Sequence, residues 1–212
     1  MEHKNCLLTT LYLPSVAVMR SIAHYSDLMI DGVEHYQKQS FRNRAHIVGA
    51  NGIQALTIPI VNGHSLGIRI KDAKIAYDTR WQQVHWRSIV SAYKSSPFFE
   101  YYEDEFAPFY HNRYVFLFDY NRDLLAIILK LIDFSTSKQV VDFTTFDCEF
   151  DDLRSFAESK KEADTYSQTP YWQVFQNRFG FTANLSVLDL LFNLGPESYL
   201  YLENWSKNIK RD

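Results

Sequence analysis

The chain has 212 residues, 46% of them apolar and 16% aromatic, which is enough apolar surface for a full core in one large domain or two small ones, one domain being the simpler arrangement. Lys and Arg total 22 against 25 Asp and Glu, so no field of one sign covers the molecule; this argues against a duplex nucleic-acid partner and makes any anion site local. Cys6 and Cys148 are far apart and in no C-x-x-C pattern, the opening apolar run is broken by threonines and Pro14, and the longest apolar stretch, LLAIIL, falls far short of the ~20 residues of a membrane span. The expectation is a soluble, cytoplasmic protein with no membrane span.

In chain order, CLLTTLYLP reads as a short buried strand ended by Pro14. SVAVMRSIAHYS follows as a helix capped by Ser15, and DLMIDGV as a second strand, which together make a strand-helix-strand unit with parallel strands. Asn51-Gly52, flanked by RNRAHIV and IQALTIPIV, signals a β-hairpin; Asn62-Gly63 marks another turn, with the sheet expected to continue through GIRIKDAKIAY. From Trp81 the period becomes helical, with Gln83, Arg87 and Lys94 on one face. SPFFEYYEDEFAPFY is expected as a short helix bounded by Pro97 and Pro108, YVFLFD as a strand, and NRDLLAIILKLIDF as a helix capped by Asn121 with Leu124, Ile127, Ile128, Leu131 and Ile132 buried.

Residues 136–170 are acid-rich and poor in apolar side chains, and are expected as a surface loop or lid within a single domain spanning 1–212. Near the C-terminus Ser186 and Asp189 have capping-box spacing, Gly195 fits a helix stop and Pro196 a helix start. The fold class is therefore α/β: a mixed sheet with an N-terminal strand-helix-strand unit, a β-hairpin region and a helical C-terminal half.

The stretch HYQKQSFRNRAHIV carries the candidate site. If it is extended, Phe41, Asn43, Ala45 and Ile47 share one face, and Lys38, Ser40, Arg42, Arg44 and His46 the other. Arginine forks one pleat apart suit a diphosphate or an acidic sugar; the plainer reading is a solvated face paired with surface acids. Asp31, Glu34 and His35 lie beside this row at a strand end, where open α/β sheets bind ligands. Glu34 or His35 is a candidate general base oriented by Asp31, or the three form an ordinary polar turn. His85, between tryptophans, is either catalytic or a packing histidine. Phosphate-binding loops, nucleophile elbows and paired metal-ligand histidines are absent, so no metal site is assigned and the cofactor is unknown.

YLP, DLMIDGVEHYQKQSFRNRAHIVGANG, TIPI, HWRSIVSAYKSSPFFEYYEDEF and GFTANLSVLDLLFNLGPES run in order along nearly the whole chain, which resembles the WbqC-like protein family in its Bacteroidetes-type branch. It departs from that family at Thr9-Thr10-Leu11, where many relatives read Gln-Pro. The resemblance implies a substrate-binding role for Tyr12, Tyr36, Lys38, Arg42, Asn43 and Arg44. It also implies a setting in O-antigen or other surface polysaccharide biosynthesis, with transfer of glycine or another acyl group to an amino sugar on a nucleotide or lipid carrier. The partners expected on this basis are a nucleotide-linked or lipid-linked sugar and other polysaccharide biosynthesis enzymes. The alternative is a non-catalytic module that binds a glycan or a partner through the aromatic FFEYY and YW clusters.

Overall fold

The computed structural model describes residues 4–63, 67–134, 139–143, 149–157 and 168–204. Strands β1 (Asn5–Leu8) and β2 (Asp27–Asp31) pair in parallel, Cys6 opposite Leu28 and Leu8 opposite Ile30. Past their first residues both are buried throughout, as parallel strands covered on both faces require. Between them runs α1 (Val16–Ile22), whose N-terminus is capped by Ser15 accepting from the Val18 amide. The antiparallel hairpin β3 (Arg44–Gly49) and β4 (Gly52–Thr57) forms a separate two-stranded sheet. Gly52, at φ +103°, closes its turn in a conformation few other residues adopt.

Three helices follow, α2 (Trp81–Tyr93), α3 (Phe99–His111) and α4 (Leu117–Leu131), packed α2 on α3, α3 on α4, and α2 on β3. Strand β5 (Gln139–Phe143) pairs in parallel with β2, and the short β6 (Asp151–Asp152) in parallel with β1. The four-stranded order is thus β5-β2-β1-β6. The chain moves outward from β1 through β2 to β5 and then returns to the other side of β1. The carboxyl ends of β1 and β6 therefore flank a topological switch point, where parallel sheets open a crevice. The chain continues with α5 (Gln176–Phe179), α6 (Val187–Leu194) and α7 (Glu197–Asn204); α6 and α7 pack on α1, and α6 also packs on α3. Among the described residues no helix is long and apolar enough to cross a membrane.

The mixed α/β architecture agrees with the sequence reading, and several local expectations are corrected. Asn121 does not cap α4; it lies a turn inside, 1% exposed, with its amide turned inward to the carbonyl of Arg42. YVFLFD forms only an isolated bridge at Phe116, because Leu117 already begins the helix. Residues 68–77 make a 3-10 turn at Ile70–Asp72 and single bridges in place of continuing sheet. Pro108 sits inside α3, not at its boundary, and α3 runs on to His111. Ser186 caps α6 as expected, but Asp189 does not reach back in a capping box, since its carboxylate accepts from Tyr171 (2.6 Å) and Gln173 (2.7 Å) in the core. Within 136–170, the described residues supply β5 and β6; residues 144–148 and 158–167, most of what remains of the expected lid, lie outside the described residues.

Gly195 ends α6 at φ +55°, and a Cβ there would come within 2.5 Å of the Phe98 ring. Gly195→Ala should lower stability by about 2 kcal/mol or more, from backbone strain together with the clash, and urea denaturation should show it as a lower midpoint with an unchanged slope.

Candidate functional site

Asp31, the last residue of β2, is 2% exposed. Its Oδ1 accepts the amides of Val33 (2.9 Å) and Glu34 (3.0 Å), a turn that brings Glu34 to Thr9 at the carboxyl end of β1. Its Oδ2 accepts from Arg154 Nη1 at 2.7 Å. Arg154 lies just past β6 and also grips Asp152, with Nη2 2.7 Å from Oδ2 and Nε 3.0 Å from Oδ1. Hydrogen bonding to Asp152 is the main reason the guanidinium is held above its usual range, and it lowers the Asp152 carboxyl in turn.

Glu34 is clasped by Arg42 through a two-pronged fork, Nε to Oε1 at 2.9 Å and Nη2 to Oε2 at 2.7 Å, and Thr9 Oγ1 donates to Oε1. The Arg42 side chain is 1% exposed and that of Glu34 12%. Burial raises the Glu34 carboxyl above its ordinary value even though Arg42 pulls the other way, and the nearby Asp31 adds to the rise. A half-buried carboxylate with a raised pKa, fixed at the carboxyl end of a parallel sheet by an arginine and a hydroxyl, has the attributes of a general base.

The segment leading into β3 holds Arg42 in place. Asn121 donates to the Arg42 carbonyl at 2.8 Å. Asn43, buried, donates to the Ile58 carbonyl at 2.7 Å and accepts from its amide at 2.8 Å. Arg44, half-buried, opens β3 and donates from Nε to Thr57 Oγ1 at 3.2 Å. Tyr36 is half-buried, its amide bonded to the Ile68 carbonyl. Burial raises its phenol pKa, and the charges of Arg44 and then Arg42 partly offset this.

The expected donor row needs residues 36–48 extended, but β3 begins only at Arg44 and residues 38–43 are turns. Arg42 therefore points into the core while Arg44 lies on the hairpin. Lys38 is exposed beside Gln39, whose φ is +59°; His35 is also exposed, its backbone bridging Arg69. Tyr12 and His85 form a separate buried cluster, Tyr12 Oη lying 2.9 Å from His85 Nδ1 and 3.0 Å from Tyr110 Oη. Burial lowers the His85 pKa to about 4. The structure thus brings Asp31, Glu34 and Arg42 together, with Tyr36 and Arg44 alongside. Thr9 and Asp152, which sequence reasoning did not select, complete the network; their signal is position, since each lies at the carboxyl end of a sheet strand. Among the described residues no group of His, Cys, Asp and Glu could hold a metal ion.

Two outcomes follow for stability. Arg42→Ala leaves the Glu34 carboxylate without its fork and should cost about 3–5 kcal/mol in urea unfolding, whereas replacing both residues with Met should cost much less. His85 is neutral in the fold and takes up a proton more readily when unfolded, so its contribution is full above its ordinary value of 6.5 and is lost as pH falls toward about 4. That loss is on the order of 3 kcal/mol, and His85→Gln should remove it from the difference between unfolding curves at pH 7 and pH 4.

No solved structure matches the chain. An uncharacterized protein of Mycobacterium tuberculosis, Rv1507c, is 27% identical over 217 residues, covering 90% of this chain and 94% of that protein. A sequence model of the WbqC-like protein family matches residues 10–148, which takes in Tyr12, Asp31, Glu34, Arg42, Arg44 and His85, and the chain belongs to that family.

Proposed function

We propose that the chain is a group-transfer enzyme that acylates the amino group of a sugar carried on a nucleotide or lipid, in surface polysaccharide biosynthesis. The observation that carries this reading is the Glu34 carboxylate, half-buried, raised in pKa and held by Arg42 and Thr9 at the carboxyl edge of a parallel sheet. In this reading Glu34 takes a proton from the acceptor amine as its nitrogen attacks the acyl carbon of an activated donor, and the donor's leaving group departs. Arg42 and Thr9 fix the carboxylate, and Asp31 fixes the turn that carries it.

Charge supports an amine as the acceptor. Asp31, Glu34 and Asp152 outnumber Arg42 and Arg154 in this network by one, and each guanidinium is engaged by carboxylate. Such a site favours an ammonium group arriving before deprotonation. The sugar substrate class follows from the family resemblance. The aromatic stretches that a binding module would use are divided, with Phe99 and Tyr171 buried in the core and Tyr101 and Trp172 exposed.

The test is transfer itself, followed by mass spectrometry of the product after incubation with nucleotide-linked amino sugars and activated acyl donors. Glu34→Gln keeps the shape of the side chain and should slow transfer by about 100- to 10,000-fold, the usual contribution of a general base. Transfer by Glu34→Gln at the wild-type rate would remove Glu34 from the mechanism.

A further inference from the structure

Three guanidiniums surround the candidate site, and two are paired with protein carboxylates. Arg42 is clasped by Glu34, and Arg154 by Asp31 and Asp152. Arg44 differs. Its one side-chain bond, from Nε to Thr57 Oγ1 at 3.2 Å, joins two residues that are register partners across the β3–β4 pair. That bond orients the guanidinium plane, and among the described residues its terminal amino groups meet no protein acceptor. Tyr36 provides a second such donor. Its backbone is fixed by the Ile68 carbonyl, and its ring is backed by the turn at Gly63, where a Cβ would lie 3.7 Å from the ring. Tyr36 is half-buried, and among the described residues its hydroxyl has no protein partner. Burial acts most strongly on that phenol and raises its pKa, with the Arg44 charge, ahead of Arg42, opposing it.

Two half-buried donors flank the 57–63 stretch, Arg44 on Thr57 and Tyr36 against Gly63; one is a pre-oriented cation without a carboxylate, and together they call for an anionic acceptor from outside the protein. We propose that Arg44 and Tyr36 form a phosphate subsite that holds a diphosphate of the carrier bearing the acceptor sugar, an assignment that rests on the transfer reading above. Tyr36 follows Glu34 by two residues on one stretch of chain whose backbone is bonded to the 68–70 segment, so a carrier phosphate seated here keeps the attached sugar near the base. Arg42 is then not a phosphate ligand but the orienter of Glu34, and exposed Lys38 lies outside the subsite.

Calorimetry on the full chain with uridine diphosphate, a short-chain isoprenyl diphosphate and inorganic pyrophosphate tests this. At least one should bind, and Arg44→Ala and Arg44→Gln should each weaken binding by about tenfold or more, Tyr36→Phe by several-fold, with circular dichroism confirming that each variant is folded. Glu34→Gln removes the base and a nearby negative charge, so it should still bind diphosphate while transfer is slowed, which separates failure of the subsite from failure of the transfer reading. Preference for the nucleoside or the prenyl probe identifies the carrier, and equal binding of all three locates recognition in the diphosphate alone. Wild-type affinity in both Arg44 variants, or no binding of any probe to the wild type, would overturn the subsite.

Discussion

The Arg42–Glu34 ion pair is the interaction around which the rest is arranged. A guanidinium 1% exposed cannot be left unpaired, so wherever the chain places Arg42 it must also bring an acceptor. The acceptor comes from the end of β2, through the Asp31 turn; the end of β1 adds the Thr9 hydroxyl; α4 adds Asn121 on the Arg42 carbonyl. One buried pair therefore ties the parallel sheet, the hairpin and the helical layer together. A buried pair of this kind adds little net stability against an apolar replacement, so its value lies in fixing where the carboxylate points.

Around that pair the charges are sorted in space. On the sheet-edge side, acids exceed bases and both arginines are neutralised; at the mouth of the hairpin, Arg44 retains its charge with Tyr36 next to it. A ligand with an amine at one end and phosphate at the other would meet complementary charge at both ends. An amino sugar on a diphosphate carrier has this polarity, and reversed binding would set phosphate against Glu34 and Asp31. Orientation would then be specified by repulsion as much as by attraction.

Much of the scaffold was legible in the sequence, while the site was legible only in part. The buried runs of β1 and β2, the Ser15 cap, the hairpin at Asn51-Gly52 and the α2 helix all follow from local pattern. Strand β6 does not, because two aspartates give no strand signal and pairing with β1 alone defines it. The partner of Arg42 was hidden for a similar reason. Face parity assumes a straight strand, and the turns from 38 to 43 rotate Arg42 inward while leaving Arg44 outward. Asn121 and Asp189 look like helix caps locally, yet both are core hydrogen-bonding groups whose partners lie far away in sequence.

Helix α2 joins two buried groups that respond to acid in opposite senses. Near its start, His85 stays neutral beside Tyr12 and Tyr110, so acid weakens its contribution. Two turns later, Tyr93 faces Asp189 of α6, whose carboxyl burial raises to about 6 against donation from Tyr171 and Gln173. A carboxyl raised in the fold above its ordinary value of 3.8 contributes most below that value and loses its contribution as pH climbs toward 6. Between about pH 4 and 6 one contribution falls as the other rises, so the total changes less than either alone. Helix α2, which carries His85 and meets Asp189 through Tyr93, packs on β3, whose first residue is Arg44, so the two opposing responses converge on the element that supports the hairpin.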